Sequence, residues 1–190
     1  MKTTIIAAVA ALALTTAAQA SEYDAQLRAL AESQLKAIAE NPILIAAIKE
    51  QNAAHAALSQ GDIDALDTKW RAEAGQSPAP TIDPLLAKEA SAYLAEQRDA
   101  AEGLITEAFA MDDKGLNVAL SDVTSDYWQG DEAKWQETYQ AGASAVHLGE
   151  VEFDESSQSY QAQVSLAIAD PDTGAPIGAI TFGVNAEMLE

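Results

Sequence analysis

The chain has 190 residues, with 30 Asp and Glu against 10 Lys and Arg, no cysteine, and 48% hydrophobic residues. That length and apolar content describe one folded domain rather than a disordered or multidomain chain. A formal charge of −20 leaves no basic face for nucleic acid, and the lack of cysteine excludes disulfides, thiolate metal sites and thiol catalysis.

The first twenty residues have the make-up of a signal peptide. Met1-Lys2 gives a positive start, Ile5 to Leu14 is an apolar run, and Ala18-Gln19-Ala20 is a small-x-small cleavage signal. Cleavage after Ala20 is expected, with residues 21–190 forming a single exported domain, periplasmic or secreted. The apolar run is shorter than the roughly 20 residues that cross a bilayer, so the chain is not expected to be membrane-inserted.

A helical half follows. Leu27, Leu30, Ala31, Leu35 and Ile38 share one face of a long helix over 25–38. Asn41-Pro42 is a cap-plus-proline start for a second helix reaching about Leu58. Ser59-Gln60-Gly61 ends it, Asp62 caps a third helix bearing Ile63, Leu66 and Trp70, and Gly75 to Thr81 is a loop. Asp83-Pro84 repeats the start signal for a fourth helix to about Ala101.

Past Gly103 the period changes to that of strands. Leu104–Met111 and Leu116–Leu120 flank a turn at Asp112 to Gly115. Residues 125–140 read as a loop entering a short amphipathic helix. Val146–Phe153 and Tyr160–Ala169 are strands joined by a hairpin connection over 154–158, and a turn at Pro171 to Gly174 leads to a last strand, Ile177–Val184. The class is α+β, with the helices packed on an antiparallel sheet of about five strands.

The segment Asp126, Tyr127, Trp128, Gln129, Asp131, Trp135, Tyr139 is the strongest candidate site. Aromatic rings beside carboxylates suit a small polar or cationic ligand, since a ring face attracts positive charge and a carboxylate accepts from an ammonium. No Lys or Arg follows Lys134, so a neutral or cationic ligand is favoured; an anion would need Arg71, Arg98 or Lys134. Asp170 to Gly174 has the start of a calcium loop, but Thr181 stands where its bidentate Glu belongs, so a hairpin turn is expected. His55 and His147 have no partners at ligand spacing and read as structural or surface residues. No metal, cofactor or catalytic motif is present, and binding rather than catalysis is expected.

In order and spacing, Asn41-Pro42-Ile43, Met111-Asp112 with Gly115, the run Asp126 to Glu132 (DYWQGDE), Val164 to Ile168 (VSLAI) and Ile177 to Val184 (IGAITFGV) resemble a single Cache domain, an extracellular PAS-like sensor. The resemblance spans essentially residues 21–190. It implies a PAS-like antiparallel sheet with the long helix alongside, and a small-molecule pocket between the sheet and the loop–helix segment. Tyr127 and Trp128 would line that pocket, with Asp126 or Asp154 as polar contacts. The arginine beside the aromatic pair in amino-acid-binding members has no match here. The implied role is to bind a small polar metabolite and present it to a membrane receptor, kinase or transport partner, as a monomer or weak homodimer. The alternative is an envelope interaction or structural protein of the same fold without an open pocket.

Overall fold

The computed structural model describes residues 23–154 and 158–189. The expected signal peptide and the cut after Ala20 lie outside these residues. Helix α1 covers residues 23–39, with a π-helical stretch at Ala31–Leu35, and buries Leu27, Ala31, Leu35 and Ile38, the face expected from their spacing. Helix α2, Pro42–His55, starts where the sequence places it. Asn41 Oδ1 accepts from the amide of Ile43 (2.9 Å), and Pro42 takes the first position, where a missing N–H leaves no bond unmade.

Two helix boundaries differ from the expectation. Helix α3 is Gln60–Glu73, capped by Ser59 and not by Asp62. Ser59 and Asp62 form a reciprocal capping box, in which Asp62 Oδ2 accepts from the Ser59 amide (2.9 Å) and Ser59 Oγ from the Asp62 amide (3.3 Å). The expected fourth helix is two, α4 at Ile82–Leu86 and α5 at Glu89–Ala100. The Leu85 carbonyl, which a continuous helix would pair with the amide of residue 89, instead accepts from Ser91 Oγ (2.7 Å), and Ser91 Oγ in turn accepts from the Leu120 amide. The helix breaks so that Ser91 can join α4 to the sheet.

The sheet is antiparallel and has six strands: β1 Ile105–Met111, β2 Asn117–Leu120, β3 Val146–Leu148, β4 Glu152–Asp154, β5 Ser159–Ala169 and β6 Pro176–Asn185. The order is β2-β1-β6-β5-β3, with β4 beside β3 along β5. The single strand expected over 146–153 is therefore two, because the chain leaves the ladder after Gly149, whose amide still donates to Gln163 O (2.7 Å). Between β2 and β3 a four-residue helix α6, Ala133–Gln136, is shorter than the helix expected there.

Alternation sets the two sheet faces. Ala110, Val118, Val164, Leu166, Ile180 and Phe182 meet Leu27, Leu35, Leu44, Ile48 and Leu94 of α1, α2 and α5. Phe109, Met111 and Ala179 point the other way, into a second core with Ile63, Trp70, Ile82, Leu116, Leu120, Tyr127 and Trp135. The β5–β6 connection is the expected turn. Asp170 Oδ1 accepts from the Asp172 amide (3.0 Å), and Oδ2 pairs with Lys49 Nζ (2.9 Å). Among the described residues, no helix is long and apolar enough to cross a membrane.

Candidate functional site

The segment after β2 is held down by a carboxylate from α3. Asp67 Oδ1 accepts from the amides of Tyr127 (2.8 Å) and Trp128 (3.1 Å), and Oδ2 from Arg71 Nε (2.6 Å). Burial alone would raise the pKa of Asp67, but Arg71 and these two amides outweigh it and hold the carboxyl below its ordinary value. Arg71 Nη2 also donates to Asp126 Oδ2 (3.1 Å), and Asp126 Oδ1 accepts from Gln129 Nε2 (2.8 Å) and Ser125 Oγ (2.9 Å). Asp126 is thus engaged in holding its own loop.

The aromatic residues of this segment face inward. Tyr127 is 8% exposed and stacks on Trp70, with ring centroids 5.0 Å apart and planes 14° apart. Burial pushes its phenol far above the ordinary value. Trp128 is half-buried, donates from Nε1 to Lys114 O (2.8 Å), and covers Gly130, where a Cβ would come within 2.4 Å of the indole nitrogen. Trp135 is buried, donates from Nε1 to Asp112 O (3.0 Å) and stacks on Tyr139 at 5.1 Å. Asp131 is exposed on the loop. Asp154 ends β4 opposite Ser159, and its side chain lies outside the described residues. The expected aromatic wall is core at Tyr127 and Trp135, and Trp70, 57 positions before Tyr127, brings the ring that stacks on it.

The same sheet face stays open farther along. A cleft of about 600 Å³ lies between α6 and the β4 edge. Glu107 of β1 with Gln161 and Gln163 of β5 form its floor, Glu132 and Lys134 one wall, and Glu150, Glu152 and Phe153 the other. Lys134 Nζ lies 2.9 Å from Glu132, donates to Gln129 Oε1 (3.3 Å) and sits 5.4 Å from the centre of the Phe109 ring. Phe153 meets Tyr160 edge to face at 5.3 Å, and both rings are about half exposed. Glutamates outnumber the one lysine, and that lysine already has a carboxylate partner.

Sequence reasoning reached one lining residue of this cleft, Lys134, and its neighbours Trp135 and Asp154, but not its floor or its glutamates. The signal for the floor was the polar phase of β5, Gln161-x-Gln163-x-Ser165, against the apolar phase Ala162, Val164, Leu166. The three cations considered for an anionic ligand are all paired: Arg71 with Asp67 and Asp126, Arg98 with Asp99 and Asp122, and Lys134 with Glu132.

A second polar group, also unforeseen, ties α2 to the β1–β2 turn. Asp112 is fully buried. Its Oδ1 accepts from the amides of Lys114 and Leu116 (both 2.9 Å), and its Oδ2 accepts from Gln51 Nε2 (3.0 Å) and lies 2.8 Å from His55 Nδ1. Among the described residues, no group of three or more His, Asp or Glu is arranged to hold a metal ion.

No family model matches the sequence, and no curated protein does. Solved structures similar to the chain include the ligand-binding domain of a Campylobacter jejuni chemoreceptor with 4-methylisoleucine, at 14% identity and a TM-score of 0.39, covering 88% of this chain and 61% of that one. The sensor domain of a V. cholerae histidine kinase is similar at 12% identity and a TM-score of 0.38, covering 90% and 57%. The ligand-binding domain of a Pseudomonas fluorescens chemoreceptor with L-serine is similar at 11% identity and a TM-score of 0.39, covering 68% and 52%. All three are sensory or ligand-binding domains. This chain spans between about half and about three fifths of their lengths.

Proposed function

We propose that the chain is an exported domain that binds a small polar metabolite, neutral or cationic, in the cleft between α6 and β4, and presents it to a membrane signalling or transport partner. The observation that carries this reading is the cleft itself. It is concave and polar on a sheet face that is otherwise closed by apolar packing, and carboxylates and amides dominate its lining. The role is binding, with Glu150 and Glu152 accepting from the ligand and Phe153 covering it, and no covalent step. Export follows from the signal-peptide pattern of residues 1–20.

A thermal-shift screen against amines, amino acids, organic acids, purines and divalent cations tests it. A ligand at a hundred times its dissociation constant stabilises a domain by about 2.7 kcal/mol, a shift of several degrees. The expected result is a rise confined to amines or neutral polar molecules, lost in the Glu150→Gln, Glu152→Gln double variant. Silence across the panel would favour the second reading, an envelope interaction protein without a ligand. The specific observation on its side is the Trp70–Tyr127 stack, which fills the part of the face where the aromatic wall was expected.

A further inference from the structure

The ammonium of Lys134 sits in a three-sided cage in the wall of the cleft beside α6. Glu132 supplies a carboxylate oxygen at 2.9 Å, Gln129 Oε1 accepts from Nζ at 3.3 Å, and the centre of the Phe109 ring of β1 is 5.4 Å away. An anion, an amide oxygen and a ring face are groups that recognise an ammonium. Two of the three are held in place by bonds made elsewhere. Gln129 is 1% exposed and commits its amide nitrogen to Asp126 O (3.2 Å) and Oδ1 (2.8 Å), which turns Oε1 toward the ammonium. Phe109 is buried and fixed by its strand, between Leu120 of β2 and Thr181 of β6.

The lysine, by contrast, reaches the cage on a flexible stem. It comes from α6, a helix of four residues, its side chain is 13% exposed, and the open cleft lies beside it. For stability alone an apolar side chain over Phe109 would serve as well, because a desolvated ion pair is seldom worth more than hydrophobic packing of the same volume. With the lysine swung out, Gln129 Oε1 is a buried acceptor that has lost its donor, and Glu132 has lost its cation. A buried acceptor left unmade is unfavourable, so the vacated cage takes up another ammonium.

We propose that this cage is the ammonium subsite of the cleft and that Lys134 is its built-in competitor, a tethered ammonium that the primary amine of a ligand displaces. This rests on the reading of the cleft as a ligand site, and adds to it the ligand class and the device that controls entry. The ligand's ammonium takes over the contacts to Glu132, Gln129 and Phe109, and the rest of the molecule extends to Glu150, Glu152 and Phe153 on the opposite wall. A ligand that binds only the molecules whose lysine is out has its apparent affinity lowered by that fraction. The tether therefore rejects ammonium ions that fill the cage alone, and admits amines whose remainder is bound by the opposite wall.

The test is a thermal-shift titration of the purified protein and of Lys134→Ala with propylammonium chloride, which carries the lysine's head and most of its stem. Sodium chloride and sodium propionate at matched ionic strength are the controls. Lys134→Ala should melt below the parent, and propylammonium should restore it saturably, at a concentration at least tenfold below that needed to shift the parent. The sodium salts should act on both proteins alike, and adding Glu132→Gln to Lys134→Ala should abolish the restoration. NMR of the parent needs no variant to fold. The Lys134 ε-methylene resonance, shielded by the Phe109 ring, should lose that shielding as propylammonium rises to about 1 M, far above the millimolar effective concentration of a short tether. Restoration that sodium matches, that the parent matches or that survives Glu132→Gln would overturn the proposal, as would a Lys134 resonance that stays shielded throughout. A metabolite that binds the parent through Glu150 and Glu152 while propylammonium ignores Glu132 would sink the cage and leave the cleft reading standing. Glu132-dependent restoration with no metabolite bound would do the reverse.

Discussion

At the residue scale, the Trp70–Tyr127 stack and the Asp67 clamp make opposite kinds of contribution, one apolar and one electrostatic. Tyr127 is nearly fully buried and sits among the rings and aliphatic side chains of the second core. Tyr127→Ala leaves a ring-sized cavity and should lower the unfolding free energy by about 3 kcal/mol or more, read from urea denaturation. A loss under 1 kcal/mol would mean that the ring is not core. Asp67 titrates below its unfolded value because Arg71 and two amides favour its charged form. Its stabilisation is therefore complete above about pH 4, the unfolded carboxyl value, and fades as pH falls through the lower folded one. The stability gap between the parent and Asp67→Asn should accordingly be constant from neutral pH to about pH 5 and shrink below about pH 4. A gap that widens in acid would reverse the sign argued here. The sequence made the aromatic cluster visible, but not its direction. Tyr127 and Trp128 look alike in a polar stretch, and only Trp70, brought in from α3, decides that the first of them is core.

At the element scale, signals that are complete within a few residues were legible. Asn41-Pro42 marks the start of α2 because cap and proline act within one turn, and the turn at Asp170 to Gly174 is closed by its own side chain. Boundaries that depend on a distant partner were not. The α4–α5 break rests on Ser91 reaching from Leu85 to the amide of Leu120, and the β3–β4 break on how 149–151 leave β5. Ser59 is an intermediate case. Its pairing with Asp62 three positions on is a local pattern that was read with the roles reversed, since Gly61 suggests a helix end before it suggests a first turn. Because Ser59 holds the cap, Ser59→Ala should cost about 1 kcal/mol by denaturant unfolding. Asp62→Ala removes only the returning half of the box and should cost less. Equal losses would make Asp62 the cap after all.

At the scale of the whole molecule, a charge of −20 sets repulsion against compactness. Exposed ion pairs such as Lys36–Glu32 contribute little, so screening should relieve more repulsion than attraction. Raising sodium chloride from about 20 mM to about 0.5 M should raise the melting temperature by scanning calorimetry; a fall would mean that ion pairs outweigh repulsion. The α+β class and the antiparallel sheet were readable because periodicity survives without tertiary information. The open cleft was not, because its floor, wall and rim come from β1, α6, β4 and β5, which meet only after folding. The divided strand beside β5 has a further effect. A sheet ends in two rows of unpaired backbone groups that can recruit another chain. Here the β2 side is covered by residues 127–128, through the bond from the Asn117 amide to Tyr127 O. Among the described residues, the opposite side offers two three-residue stretches, separated by Gly149-Glu150-Val151 and carrying Glu152. Neither margin can template strand-by-strand stacking, so the domain resists aggregation at high concentration by geometry as well as by charge.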